Sequence, residues 1–128
     1  MSTAAPLIRG MDFVFVPITD FARSEAFYGG VLGLECSVRY PGDRGGEFET
    51  GNMTIMLLDV AVLGREFTPT GGAIALHVDD VAAARAELES RGVSFHGDIV
   101  DSGVCHQAIL HDPDGNALSL HNRYAPRG

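Results

Sequence analysis

His77 and His121 are the side chains of this sequence best placed to move a proton. In AIALHVDD, His77 shares its strand face with Ala73 and Ala75, opposite Ile74, Leu76 and Val78. In ALSLHN, His121 shares its face with Ala117 and Ser119, opposite Leu118 and Leu120. Two imidazoles with a hydroxyl nearby suit general acid–base work near neutral pH, or a metal at an unusual position. The plainer reading is two rim histidines that are hydrogen-bonded or solvated. Of the remaining histidines, His106 is expected on the opposite face, His111 beside a turn, and His96 solvated on an edge strand. Glu47 and Glu49 flank Phe48; paired carboxylates can divide acid and base roles, but in a short edge strand they read as a solvated face.

Composition removes several chemistries. The nine basic residues are all arginine, so no lysine is present for a Schiff base or a phosphate-binding loop. The formal net charge is −8, which disfavours nucleic acid and anionic membranes as partners and suits a neutral or cationic small molecule. Cys36 and Cys105 make no disulfide framework and read as buried free thiols. Gly29-Gly30-x-x-Gly33 follows a helix, whereas a phosphate-binding glycine loop must open one. No apolar run approaches the roughly 18 residues of a membrane span, and Met1 to Gly10 holds no apolar signal core, so a cytoplasmic location is expected.

The elements that must position these groups come in two copies. FVFVPITDFARSEAFY (13–28) and AIALHVDDVAAARAEL (73–88) each read as an alternating strand, an aspartate and a helix. Val14, Val16, Ile18 and Asp20 match Ile74, Leu76, Val78 and Asp80, and Gly51-Asn52 matches Gly115-Asn116 with a few residues inserted. Asp20 and Asp80 are expected to cap the helices, and Gly33 and Gly92 to end them in the left-handed conformation. Phe21, Ser24 and Tyr28 share one helix face, as do Val81, Ala84 and Leu88. Strand-like segments follow at about 35–41, 46–50 and 53–59, and again at 93–100, 104–111 and 117–122, with DPDGN (112–116) as a turn. The reading is α+β: two tandem strand–helix–three-strand modules, about 10–68 and 72–123, joined at Pro69–Gly72 within a single domain spanning 1–128.

Three stretches, DFARSEAFYGGVLGLE, VDDVAAARAELESRGV and HDPDGNALSL, resemble the vicinal oxygen chelate superfamily of glyoxalases, bleomycin-resistance proteins and extradiol dioxygenases. The resemblance spans about residues 10 to 123. It implies paired βαβββ modules whose curved eight-stranded sheet forms a cup, with helices outside. In metal-dependent members of that superfamily, four inward residues, usually His, Gln or Glu, hold a divalent ion. Carried over, those places fall on Phe13, Ala73, Ser119 and Ile55, the last shifting to Met56 or Leu57 if the register slips. Phe, Ala and Ile offer no donor, and a lone Ser hydroxyl is a poor ligand. No metal and no cofactor are therefore expected.

The expected cup lining is apolar and aromatic with a few polar groups: Phe13, Phe15, Ile55, Leu57, His77, Gln107, Ile109, Ser119 and His121, beside Pro17, Ala73, Ala75, Cys105 and Ala117. Apolar walls with scattered polar groups suit a mainly hydrophobic or aromatic small molecule, such as an antibiotic or metabolite. The first reading is metal-independent binding without chemistry, as in the bleomycin-resistance-like branch, in a homodimer of the kind the resemblance implies. The second is a metal-independent isomerase, cyclase or glyoxalase-like enzyme using His77 and His121. A third keeps a metal at non-standard positions.

Overall fold

The computed structural model describes residues 6–127. The first five residues, part of the segment read above as lacking a signal core, and Gly128 lie outside the described residues.

Both repeats form as expected. In the first, β1 (Phe13–Ile18) leads to α1 (Phe21–Glu25), which runs on as a π-helical turn (Ala26–Val31). Strands β2 (Glu35–Arg39), β3 (Gly45–Glu49) and β4 (Thr54–Asp59) follow. In the second, β5 (Ile74–His77) leads to α2 (Val81–Ser90), then β6 (Phe95–Asp101), β7 (Cys105–His111) and β8 (Ala117–Arg123). The strands of each module pair only with one another, in strand orders β1-β4-β3-β2 and β5-β8-β7-β6. The first strand of each module pairs in parallel with the last, and the other pairings are antiparallel. No helix among the described residues is long and apolar enough to cross a membrane.

The helix signals act as their chemistry requires. Asp20 Oδ1 accepts from the Arg23 backbone N–H at 3.1 Å, and Asp80 Oδ1 from that of Ala83 at 2.9 Å. Gly33 and Gly92 close the helices at φ of +76° and +91°. The π turn was not legible in the sequence. There the Leu32 N–H reaches back five residues to the Phe27 carbonyl, across the weak helix formers Gly29 and Gly30.

The helix-side faces of both sheets share one core. Phe21 and Tyr28 pack on Phe48, with ring centroids 6.4 and 6.1 Å apart, and Val81 and Leu88 join the same cluster with Leu110, Leu118 and Leu120. Ser24 lies in this face fully buried, and its hydroxyl has no partner. Ser24→Ala should therefore leave stability unchanged or raise it by about 1 kcal/mol, because it removes an unsatisfied polar atom and improves helix propensity. Urea denaturation reads this directly; a loss above about 1 kcal/mol would mean that the hydroxyl is satisfied.

Three expectations require correction. Ile55 and Leu57 do not face away from the helices. β1 pairs Val14 with Ile55 and Val16 with Leu57, so both are fully buried in the helix-side core. Strand β3 is an inner strand, and Glu47 and Glu49 are engaged rather than merely solvated. The two free cysteines are half-buried, not buried.

The modules are joined by the DPDGN turn. The Asp112 carboxylate accepts the Tyr28 hydroxyl at 2.8 Å, the Asn116 side-chain amide at 2.8 Å, and the Asp114 and Asn116 backbone N–H groups at 2.9 Å each. Asn116 Nδ2 also donates to the Pro17 carbonyl at 2.8 Å, crossing to β1. Asp114 accepts from Thr19 and from Arg23, the latter at 2.5 Å. Burial first, then the Asp112 charge and hydrogen bond, push the Tyr28 hydroxyl well above its ordinary pKa, so it remains a donor.

Candidate functional site

Because the helices and core occupy one side of each sheet, the functional candidates gather on the opposite, open faces. On the second sheet, register places His77 beside His121, His121 opposite Gln107, and Gln107 opposite Val100. The next row is Ala75, Ser119, Ile109 and His96. Ser119 is fully buried and donates toward Gln107 Oε1 at 3.0 Å and the Leu120 carbonyl at 3.1 Å. His77 approaches Asp79 at 3.6 Å with most of its ring in solvent. His96 and His111 meet edge to face at 6.4 Å. His106 departs from this group: it pairs with Asn122 and meets Asp101 at 3.3 Å.

On the first sheet, the open face carries Phe13 beside Thr54 and Glu49, and Phe15 beside Met56, Glu47 and Val38. Phe13 and Phe15 are 49% and 37% exposed. Glu49 accepts from Ser37 at 2.5 Å and Thr54 at 2.7 Å, and these bonds hold its carboxyl below the usual range. The Tyr40 hydroxyl donates to Glu47 at 2.6 Å; burial and that bond push it up to about 12. The first face is thus aromatic and acidic, and the second is rich in imidazole and amide donors.

The nine expected lining residues are therefore divided. Phe13 and Phe15 lie on one open face; His77, Gln107, Ile109, Ser119 and His121 lie on the other; Ile55 and Leu57 lie on neither. The described residues do enclose a cavity of about 700 Å³, but on the helix side. Its walls include Val14, Ile55, Ile74, Leu76, Leu88 and Leu120, with Glu87 and Arg91 of the α2 region, and from the expected lining it takes only Ile55, Ala75 and His77.

Sequence reasoning missed Leu58 on β4 and Arg123 at the end of β8, and reached Met56 only as the alternative for a slipped register. Val14 matches Ile74 in the repeat, and these pair with Ile55 and Leu118 respectively, so Met56 is the counterpart of Ser119. That correspondence was available from the duplication once one inserted residue is allowed after Gly51-Asn52.

The same register tests the metal that the fold's metal-dependent members use. Its four places become Phe13, Ala73, Met56 and Ser119: two without donors, one soft thioether, and one hydroxyl already turned to Gln107 and the Leu120 carbonyl. Nor does any group of three or more His, Cys, Asp or Glu gather among the described residues. These side chains do not fit that metal.

Comparison with known proteins agrees with the architecture. The sequence profile of the Glyoxalase/Bleomycin resistance protein/Dioxygenase superfamily matches residues 10–120. A member of that superfamily from Sphaerobacter thermophilus DSM 20745 superposes with a TM-score of 0.77 at 22% identity, covering 91% of this chain and 98% of its own. TnmS3, an antibiotic binding protein from Streptomyces sp. CB03234, superposes with a TM-score of 0.75 at 26% identity, covering 93% of this chain and 99% of its own. No curated protein matches the sequence. The duplicated βαβββ modules, their register and the match along most of the chain have one meaning: this protein belongs to the glyoxalase/bleomycin resistance protein/dioxygenase superfamily.

Proposed function

We propose that this protein binds a mainly hydrophobic or aromatic small molecule, an antibiotic or metabolite, without a metal, and holds it without chemistry. The observation that carries this reading is the pair Phe13 and Phe15, large aromatic rings left open on a sheet face with no helix over it. The antibiotic-binding description of TnmS3 supports the same reading.

The cup is completed in a homodimer, the first sheet of one copy facing the second sheet of the other. Complementary chemistry supports that pairing: the carboxylates of Glu47 and Glu49 lie on one open face, and the imidazoles of His77 and His121 on the other. Sedimentation equilibrium reads the dimer.

Calorimetric titration with a panel of aromatic antibiotics tests binding. Phe13→Ala and Phe15→Ala should each weaken it about 10- to 100-fold, the effect of one lost aromatic contact of about 1.5–3 kcal/mol, with the melting temperature unchanged. A silent panel together with turnover abolished by His77→Ala/His121→Ala would replace this reading with the metal-independent enzyme.

A further inference from the structure

Arg123 is the side chain that the binding reading leaves unused. It is the last residue of β8, opposite Cys105 and one side-chain period beyond His121. It therefore shares the open face with Ser119 and His121. Its backbone lies about 7 Å along the strand from that of His121.

Among the described arginines Arg123 is set apart by a buried Nε without a partner, whereas Arg44, which also meets no carboxylate, donates its Nε to the Pro41 carbonyl at 2.9 Å. Arg23, Arg39, Arg85 and Arg91 each meet a carboxylate: Asp114, Glu25, Glu89 and Glu87 respectively. Arg123 meets none among the described residues. Its Nη2 donates to the Pro126 carbonyl at 3.3 Å, and its Nε is buried without a partner. A guanidinium has five donors in a planar fork that matches carboxylate, sulfonate or phosphate oxygens. Burying the Nε–H without an acceptor is unfavourable.

The surroundings point the same way. The open face of β5, β7 and β8 carries His77, His111, His121, Gln107 and Arg123, with no Asp or Glu at the positions that register places there. This donor-rich patch lies on a chain of net charge −8. The glutamates of the opposing face are already engaged, Glu47 by Tyr40 and Glu49 by Ser37 and Thr54.

We infer that the bound molecule is amphiphilic, with an aromatic body against Phe13 and Phe15 and an anionic group held by Arg123, assisted by His121 and Gln107. This rests on the binding reading above and narrows it to aromatic acids. It also reverses the simplest expectation from net charge, which favours neutral or cationic ligands.

Two probes separate the inference from the reading beneath it. 1-Anilinonaphthalene-8-sulfonate and N-phenyl-1-naphthylamine share an aromatic frame, and only the first carries a sulfonate. Fluorescence titration of the full chain should show the sulfonate bound at least tenfold more tightly. Arg123→Gln should abolish that preference while leaving the neutral probe, the melting temperature and the sedimentation behaviour unchanged. Equal affinities in the wild type, or a preference that survives Arg123→Gln, overturns the inference alone. So does a preference lost through Arg91→Gln instead, which assigns the anion to the helix-side cavity. Dissociation of the dimer by Arg123→Gln overturns it too, making Arg123 an interface residue. Saturable binding of neither probe, or indifference of both to Phe15→Ala, overturns the underlying binding reading.

Discussion

Asp112→Ala should lose about 3–5 kcal/mol of stability, enough to remove much of the 5–15 kcal/mol typical of a natural domain. Asp112 is only 5% exposed, and its two oxygens accept four hydrogen bonds. Alanine leaves the fully buried Tyr28 hydroxyl without an acceptor and the Asp114 and Asn116 backbone N–H groups without theirs. The Asn116 side chain keeps its donation to the Pro17 carbonyl and its acceptance from the Thr70 backbone N–H. Each stranded donor costs about 1–3 kcal/mol, more than the bond itself contributes, because water cannot replace the lost partner. Thermal unfolding should fall by about 10–20 °C. Tyr28→Phe is the informative companion: it removes one donor and leaves Asp112 with three, so its cost should be nearer 1 kcal/mol. If the two variants lose equal stability, the aspartate contributes only its bond to tyrosine and the turn is self-supporting.

Gly45→Ala should be comparably damaging for a steric reason. A Cβ at Gly45 would lie 2.0 Å from the Leu57 carbonyl oxygen and 3.0 Å from Leu58 Cα, both backbone atoms of the paired strand β4. No rotamer relieves such a clash. The strands must separate, and with them the bond from the Asp59 N–H to the Arg44 carbonyl. The expected loss is at least about 3 kcal/mol, seen as low soluble yield or a much lower urea midpoint. Gly30→Ala is the control: nothing lies within 4 Å of its added Cβ, and stability should hold or rise by about 0.5–1 kcal/mol. Equal stability of Gly45→Ala and wild type would show that β3 and β4 do not approach as closely as described here.

The duplication, the strand spans, both aspartate caps and the glycine stops were legible because each rests on local chemistry. The open face of β8 was legible too, because ALSLHN alternates in polarity. Strand β4 was not. In TIMLLD both faces are apolar after Thr54, so alternation carries no information and Ile55 and Leu57 were assigned to the wrong side. Only pairing with β1, some forty residues earlier, fixes that register. Phe13, Phe15, His77, Gln107, Ile109, Ser119 and His121 were read on the correct faces, but not the fact that those faces belong to two sheets open on the side away from the core. Which sheets share a core is decided by packing between modules, and no window of sequence reports it. The dual role of DPDGN was hidden for a related reason: a turn motif does not announce that Tyr28, 84 positions earlier, will donate to its first residue.

The separation of hydrogen bonding between the two modules bears on how the chain folds. Each sheet closes its own ladder, and the hydrogen bonds that cross between modules use a side chain on at least one end. Each module can thus condense around its own helix before the two meet, with loop closures of some forty residues rather than the whole chain length. The Tyr28–Asp112–Asn116 cluster then belongs to a late docking event. Its loss would be felt in the rate at which the native protein opens more than in the rate at which it forms.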